Sequence, residues 1–130
     1  MPDVDDLVPR LLAASPSVQA VWDEHLESWG DDEAAIYIEL GVFAQHAVAL
    51  CVHGSGPELA SMFDTIEDLL AVGLTPAAFD AVTIGLIEDI QNIASHQQVP
   101  IASSQFLEYL GPRTQIEWRR IHARWGTTDD

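Results

Sequence analysis

Residues 55–96 read SGPELASMFDTIEDLLAVGLTPAAFDAVTIGLIEDIQNIASH. Ser55 with Glu58 three residues on has the form of a capping box, in which a hydroxyl and a carboxylate satisfy the free N–H groups of a helix start. Gly73 supplies a stop. Thr75-Pro76 supplies the next start, with threonine as N-cap and proline at the first helical position, where its missing N–H costs nothing. Between these marks Leu59, Met62, Phe63, Ile66, Leu69 and Leu70 recur at steps of one, three and four, the spacing of a buried helix face. Phe79, Val82, Leu86, Ile87, Ile90, Ile93 and Ala94 do the same in the second half. Two helices joined by a short turn over ~40 residues have the length of a HEAT- or armadillo-type unit. One clear copy is present, which does not support a repeat array.

The same punctuation continues outward. Residues 14–30, ASPSVQAVWDEHLESWG, open with Ser15-Pro16 and close at Gly30, with an apolar stripe of Val18, Val21, Trp22, His25 and Trp29. A short helix, DDLVPRLLAA, precedes it with Pro9 near its first turn. Residues 31–54 open on Asp31, Asp32 and Glu33, which suit the positive end of a helix dipole, and close at Gly54. Their core side is Ile36, Leu40, Phe43, Ala44, Ala47, Val48 and Cys51. After QQVPIASS come a short helix, SQFLEYL, and a break at Gly111-Pro112. The last helix, PRTQIEWRRIHARWG, has Trp118, Ile121, His122 and Trp125 on its apolar face. No alternating stretch is long enough for a strand. The expectation is an all-α fold, a compact bundle of six or seven short helices with partly HEAT/armadillo-like helix pairs and antiparallel neighbours. One domain covers residues 1–126, and 127–130 form a frayed acidic tail. Trp22, Trp29, Trp118 and Trp125 are core anchors expected to bring the terminal helices together.

Charge is the strongest functional signal. The 130 residues carry 21 acids, five arginines and no lysine, a formal net charge of −16, while 48% of residues are apolar. Such a chain folds rather than staying disordered, because it has apolar surface to bury. Residues 1–111 hold 18 of the acids against Arg10 alone. The last helix holds Arg113, Arg119, Arg120 and Arg124. Nucleic acid is excluded as a partner, since phosphate binding needs a basic footprint, and an anionic membrane for the same reason. A cationic protein partner would be attracted and steered, and solubility is the alternative use of the charge. The arginines have two readings: pairing with acids of a neighbouring helix, or a separate anion-facing patch.

Cys51 is the sole cysteine, in the apolar run VALCVHG, and reads as a buried, inert thiol suited to a reducing cytoplasm. The acidic start MPDVDDLV has no basic n-region of a signal peptide. The most apolar window, residues 34–52, contains Glu39, Gln45 and His46 and reads as a buried helix rather than a membrane span.

Catalytic templates are missing. There is no glycine-rich phosphate loop, G-x-S-x-G, H-E-x-x-H or cysteine pair. His25, His46 and His122 fall on or near apolar faces and read as core histidines, while His53 and His96 stand at helix ends, where imidazole can bond free carbonyls. Asn92 lies in a polar stripe with Gly85, Asp89 and His96 and reads as half-buried, bonded to a nearby loop. The acids Asp64, Glu67 and Asp68, with Asp80, Glu88 and Asp89 on the next helix, form the candidate partner-binding surface. A solvated outer face is the plain alternative, and a dinuclear carboxylate site lacks its E-x-x-H pattern. No catalytic residue, metal ligand or cofactor is expected.

The runs Ile87-Glu88-Asp89-Ile90-Gln91-Asn92 and Leu110-Gly111-Pro112, with Trp118 and Trp125, resemble a family of small, uncharacterised bacterial all-helical domains over residues 36–126. Some similar proteins look like immunity proteins of toxin systems, which implies a role without implying catalytic residues. The sequence therefore reads as a cytoplasmic, non-enzymatic domain that neutralises a basic protein partner, such as a nuclease toxin. A HEAT-like adaptor is the second reading, and a metal-dependent hydrolase the third.

Overall fold

The computed structural model describes residues 1–29, 36–53, 56–97 and 105–124, without the side chains of 25–29 and 124. All regular structure among them is helical. The helices are α1 (Val4–Ala14), α2 (Gln19–Trp29), α3 (Ile36–Val52), α4 (Gly56–Val72), α5 (Pro76–Asp80), α6 (Asp89–Ser95) and α7 (Pro112–Arg124). A 3-10 turn, Pro16–Val18, leads into α2, and another covers Leu107–Tyr109, where the sequence suggested a longer helix. A π-helical segment, Ala81–Glu88, joins α5 to α6 into one rod.

The helix ends follow the expected chemistry with additions. Thr75 caps α5, accepting from the Ala78 N–H at 3.2 Å, with Pro76 in the first helical position. Gly73 has φ +90°, a left-handed conformation that any side chain would strain, and it ends the run of α4. Asp3 and Asp6 form a reciprocal capping box at the start of α1, which the sequence reading passed over. Pro9 sits in the second turn of α1, not the first. The Thr75 hydroxyl also donates to Asp3 Oδ1 at 2.7 Å, tying the start of α1 to the start of α5.

α4 organises the rest. Asp3 meets Thr75 just beyond its end, and Ser17 meets Glu58 near its start, so α1 runs against α4. Glu67 meets Thr114 while Phe63 meets Trp118, so α7 runs against it as well. α3 ends at Val52, α4 begins at Gly56, and the two pack together. The α5–α6 rod runs parallel to α3, with Gly85 opposite Tyr37 and Leu40, and Asp89 opposite Gly41. α4 and the rod, neighbours in sequence, pack chiefly on two shared partners, α3 and α7, and so face each other across the core as a diagonal pair. A Cβ at Gly85 would lie 2.9 Å from Tyr37 Cδ1, so a side chain there would force the Tyr37 ring to shift.

The core contains the expected stripes of α3, α4 and the rod almost entirely. Burial goes further round the rod than one stripe, taking in Ala78, Ala81, Thr83, Gly85 and Gln91. Val21, assigned to the α2 stripe, is exposed, whereas Val18 and Trp22 are buried. Cys51 is half-buried, and burial first, then the charge of Glu108, raises its thiol pKa. Trp22 packs on Phe43 with ring centroids 5.7 Å apart. Trp118 packs on Phe106 at 5.3 Å and on Phe63 edge-on at 6.3 Å. Among the described ring contacts the two tryptophans pack on different partners. Trp29 and Trp125 lie outside the described side chains.

Trp118 is 2% exposed and stands between two aromatic rings. Trp118→Ala is expected to lower unfolding free energy by about 3–5 kcal/mol, measured by urea denaturation.

Candidate functional site

The six acids singled out in the sequence occupy different environments. Asp64 and Asp68 are exposed one turn apart on α4, and Asp80 is exposed at the end of α5. Glu88 and Asp89 are half-buried at the junction of the π segment with α6. Since α4 and the rod are diagonal, the six do not form a continuous face of one packed helix pair.

Glu67 departs most from the expected role. Its carboxylate lies on the first turn of α7. Oε1 accepts from the Thr114 N–H and hydroxyl, both at 2.9 Å, and Oε2 accepts from the Arg113 N–H at 3.2 Å, with Arg113 Nη1 at 3.5 Å. It is the N-terminal cap of α7, supplied from 46 residues away in sequence. Gly111 makes room for it, because a Cβ there would lie 2.5 Å from the Glu67 carboxyl carbon. Burial raises the Glu67 pKa, but the bonds from Thr114 and Arg113 outweigh it and hold the group below its ordinary value. Glu67, named in the candidate partner-binding surface, is thus engaged by α7 as its cap.

Glu58 acts similarly at the other end of α4. Its Oε1 accepts from the Ser17 N–H at 2.8 Å and its Oε2 from the Ser17 hydroxyl at 2.6 Å. The expected partner, Ser55, lies outside the described residues. Ser17 Oγ also lies 2.6 Å from His46 Nε2. Serine, histidine and glutamate together suggest nucleophilic catalysis, but the proton positions give another answer. A carboxylate only accepts, so the single hydroxyl proton of Ser17 goes to Glu58, and His46 must donate its Nε2–H to Ser17 Oγ. A catalytic base would have to take a proton from serine. Here His46 gives one, and the trio serves to tie the turn before α2 to α3 and α4. Burial lowers the His46 pKa, with the Glu58 charge opposing. The Glu58 pKa is lowered despite burial, through the bonds from Ser17 and the charge of His46.

Asp89 is unlike these caps. Its Oδ2 lies 3.3 Å from where a Gly41 Cβ would stand, between α6 and α3. Burial first, then the charge of Glu88, raises its pKa. Among the described residues it has neither an ion pair nor a hydrogen bond.

Both readings of the arginines need adjustment. Arg113 pairs across helices with Glu67, whereas Arg120 pairs at 3.1 Å with Glu117 of its own helix. Arg119 is exposed, and the Arg124 side chain lies outside the described residues. Asn92 is exposed. Its neighbour Gln91 is the buried amide, donating from Nε2 to the Trp118 carbonyl at 2.9 Å. His96 Nδ1 bonds the Asn92 carbonyl at 2.7 Å, the helix-end role expected of it. Among the described residues no three His, Cys, Asp or Glu side chains come together as metal ligands, and no helix is long and apolar enough to cross a membrane.

A family model described as a domain of unknown function, DUF7674, matches residues 8–126. No curated protein and no solved structure matches the chain.

The capping glutamates carry a pH dependence of definite sign. Their folded-state pKa values are lowered, so the stability they contribute is fully present above the unfolded glutamate value of about 4.3 and is lost as pH falls through the lower folded values. Glu67→Gln is expected to cost about 1–2 kcal/mol at pH 7, as for other lost helix caps. Urea denaturation at descending pH should show the difference from wild type shrinking below pH ~4. Gly111→Ala should displace the same carboxylate, so a cycle with Glu67→Gln should be strongly non-additive.

Proposed function

We propose that this chain, which belongs to the DUF7674 family, is an acidic protein-binding domain that neutralises a basic protein partner. Its most concrete form is a cytoplasmic bacterial immunity protein that inhibits a toxin such as a nuclease. The observation that supports this is how the charge is divided. The described arginine pairs go to Glu67 and Glu117, which leaves Asp64, Asp68 and Asp80 exposed and without ion pairs among the described residues. These aspartates cap nothing among the described residues. Their charge adds to the net −16, whose self-repulsion works against the compact state. A protein that cuts nucleic acid must carry basic residues where phosphates bind. An acidic inhibitor complements such a surface and is drawn to it before contact.

The test begins with capture of the partner from the native host on immobilised wild-type protein. Retention of no basic protein would sink the reading. With the partner in hand, the double variant Asp64→Lys, Asp68→Lys changes exposed positions that make no contact holding the fold together. Asp89, being half-buried, is unsuitable for charge reversal. Association measured by stopped flow should slow by roughly 10–100-fold at low salt. The gap should narrow as salt rises and screening shortens. An unchanged rate would remove this face of α4 from the encounter.

A further inference from the structure

Between α3 and α6 lies an open groove of about 330 Å³. It is lined by the apolar Val48, Ala49, Val52 and Ile93 and by the polar Gln45, His53 and Gln97. Val52 is 55% exposed, a large apolar side chain presented to solvent inside the depression. Among the described residues no acid lines this groove, in a chain of net charge −16. The nearest turn below it is different. Gly41 precedes Gln45 by one turn on α3, Asp89 precedes Ile93 by one turn on α6, and the two helices run parallel. Asp89, which does not itself line the groove, therefore lies one turn from Ile93, about 6 Å along the axis. Gly41 leaves the space beside its carboxylate without a side chain of its own.

We propose that this groove is the anchor point for the basic partner, and that it takes an amphipathic helical segment carrying an aliphatic side chain and an arginine or lysine one turn away. The aliphatic side chain covers Val48, Val52 and Ile93. The cation meets Asp89, a half-buried carboxylate that lacks a cation among the described residues. Gln45 and Gln97 are placed to bond polar groups at the edges. One helical turn on the occupant spans the same ~6 Å as the step from Ile93 to Asp89. This specifies a spacing as well as a charge, which an acidic outer face such as Asp64 and Asp68 does not. The inference rests on the reading of the chain as a binder of basic protein.

The test uses two synthetic alanine-rich helical peptides with one leucine and one arginine each, four residues apart in the first and two apart in the second. Amide shifts of the full-length protein are followed by NMR. The first peptide should shift Gln45, Ala49, Ile93 and Gln97 and bind at least tenfold more tightly than the second. Asp89→Asn should abolish that difference. Val52→Ser, at an exposed position, should weaken the first peptide while leaving the melting temperature near wild type. Equal binding of both peptides, equal binding of the first peptide to wild type and Asp89→Asn, or no binding at all overturns the proposal. Shifts confined to Asp64 and Asp68 also overturn it, while leaving the basic-partner reading intact. Groove shifts that appear on concentrating the protein alone would assign the groove to a second copy and overturn it too.

Discussion

A single carboxylate fixes the position of the C-terminal helix. The first N–H groups of a helix have no partner inside it, and the helix dipole places partial positive charge there. α7 begins with Gly111-Pro112-Arg113-Thr114, and none of these side chains is shown capping its own helix. Glu67 does so from α4, accepting from two backbone N–H groups and a hydroxyl. Its arrival dictates the residues around it. Gly111 must lack a side chain, and Thr114 is fully buried. One turn further on, Trp118 enters between Phe63 and Phe106. Glu58 repeats the device at the other end of α4, on the turn that starts α2. α4 therefore sets its neighbours' positions through its polar ends as well as through its buried face.

The sequence made the helices legible because their signals are local. Proline, glycine and threonine at 73–76, and the apolar steps of α3 and α4, act within one or two turns, and the structure follows them. What could not be read depends on residues far apart. Nothing near Glu67 marks it as a cap for residues 113 and 114, and Ser17 meets Glu58 across 41 residues. The π segment kept the same apolar pattern as an α-helix, so its wider turn was invisible. In α6 the buried amide is Gln91 rather than Asn92, because Gln91 shares the face of Ile87 and Ala94. The diagonal placement of α4 and the rod was equally hidden, because a short turn fixes connection but not packing.

Of the candidate site, the sequence identified the excess of acid and its distribution along the chain, but not the separate roles of individual acids. Asp64 and Glu67 are three residues apart on one helix. Asp64 is exposed, while Glu67 reaches α7 with a side chain 16% exposed. Periodicity could place both near one face, yet whether a carboxylate meets water or an N–H depends on the helix beside it. Asp89 was grouped with the surface acids because its neighbours in sequence are charged. The glycine that gives it space belongs to α3, 48 positions earlier.

These environments also give the carboxyls opposite linkage to acidification. The folded-state pKa is raised for Asp89 and lowered for Glu58 and Glu67. A carboxyl whose folded pKa exceeds its unfolded one opposes folding at neutral pH, and that opposition is relieved as pH falls through the folded value. The capping pair behaves in the opposite sense and keeps its contribution until lower pH. Protonation of Asp89 therefore relieves a cost of folding, whereas protonation of Glu58 and Glu67 removes bonds that hold the α2 turn and α7 in place. The charge whose removal favours folding stands one helical turn from the groove between α3 and α6, and a cation brought there would offset the same unfavourable burial that a proton does.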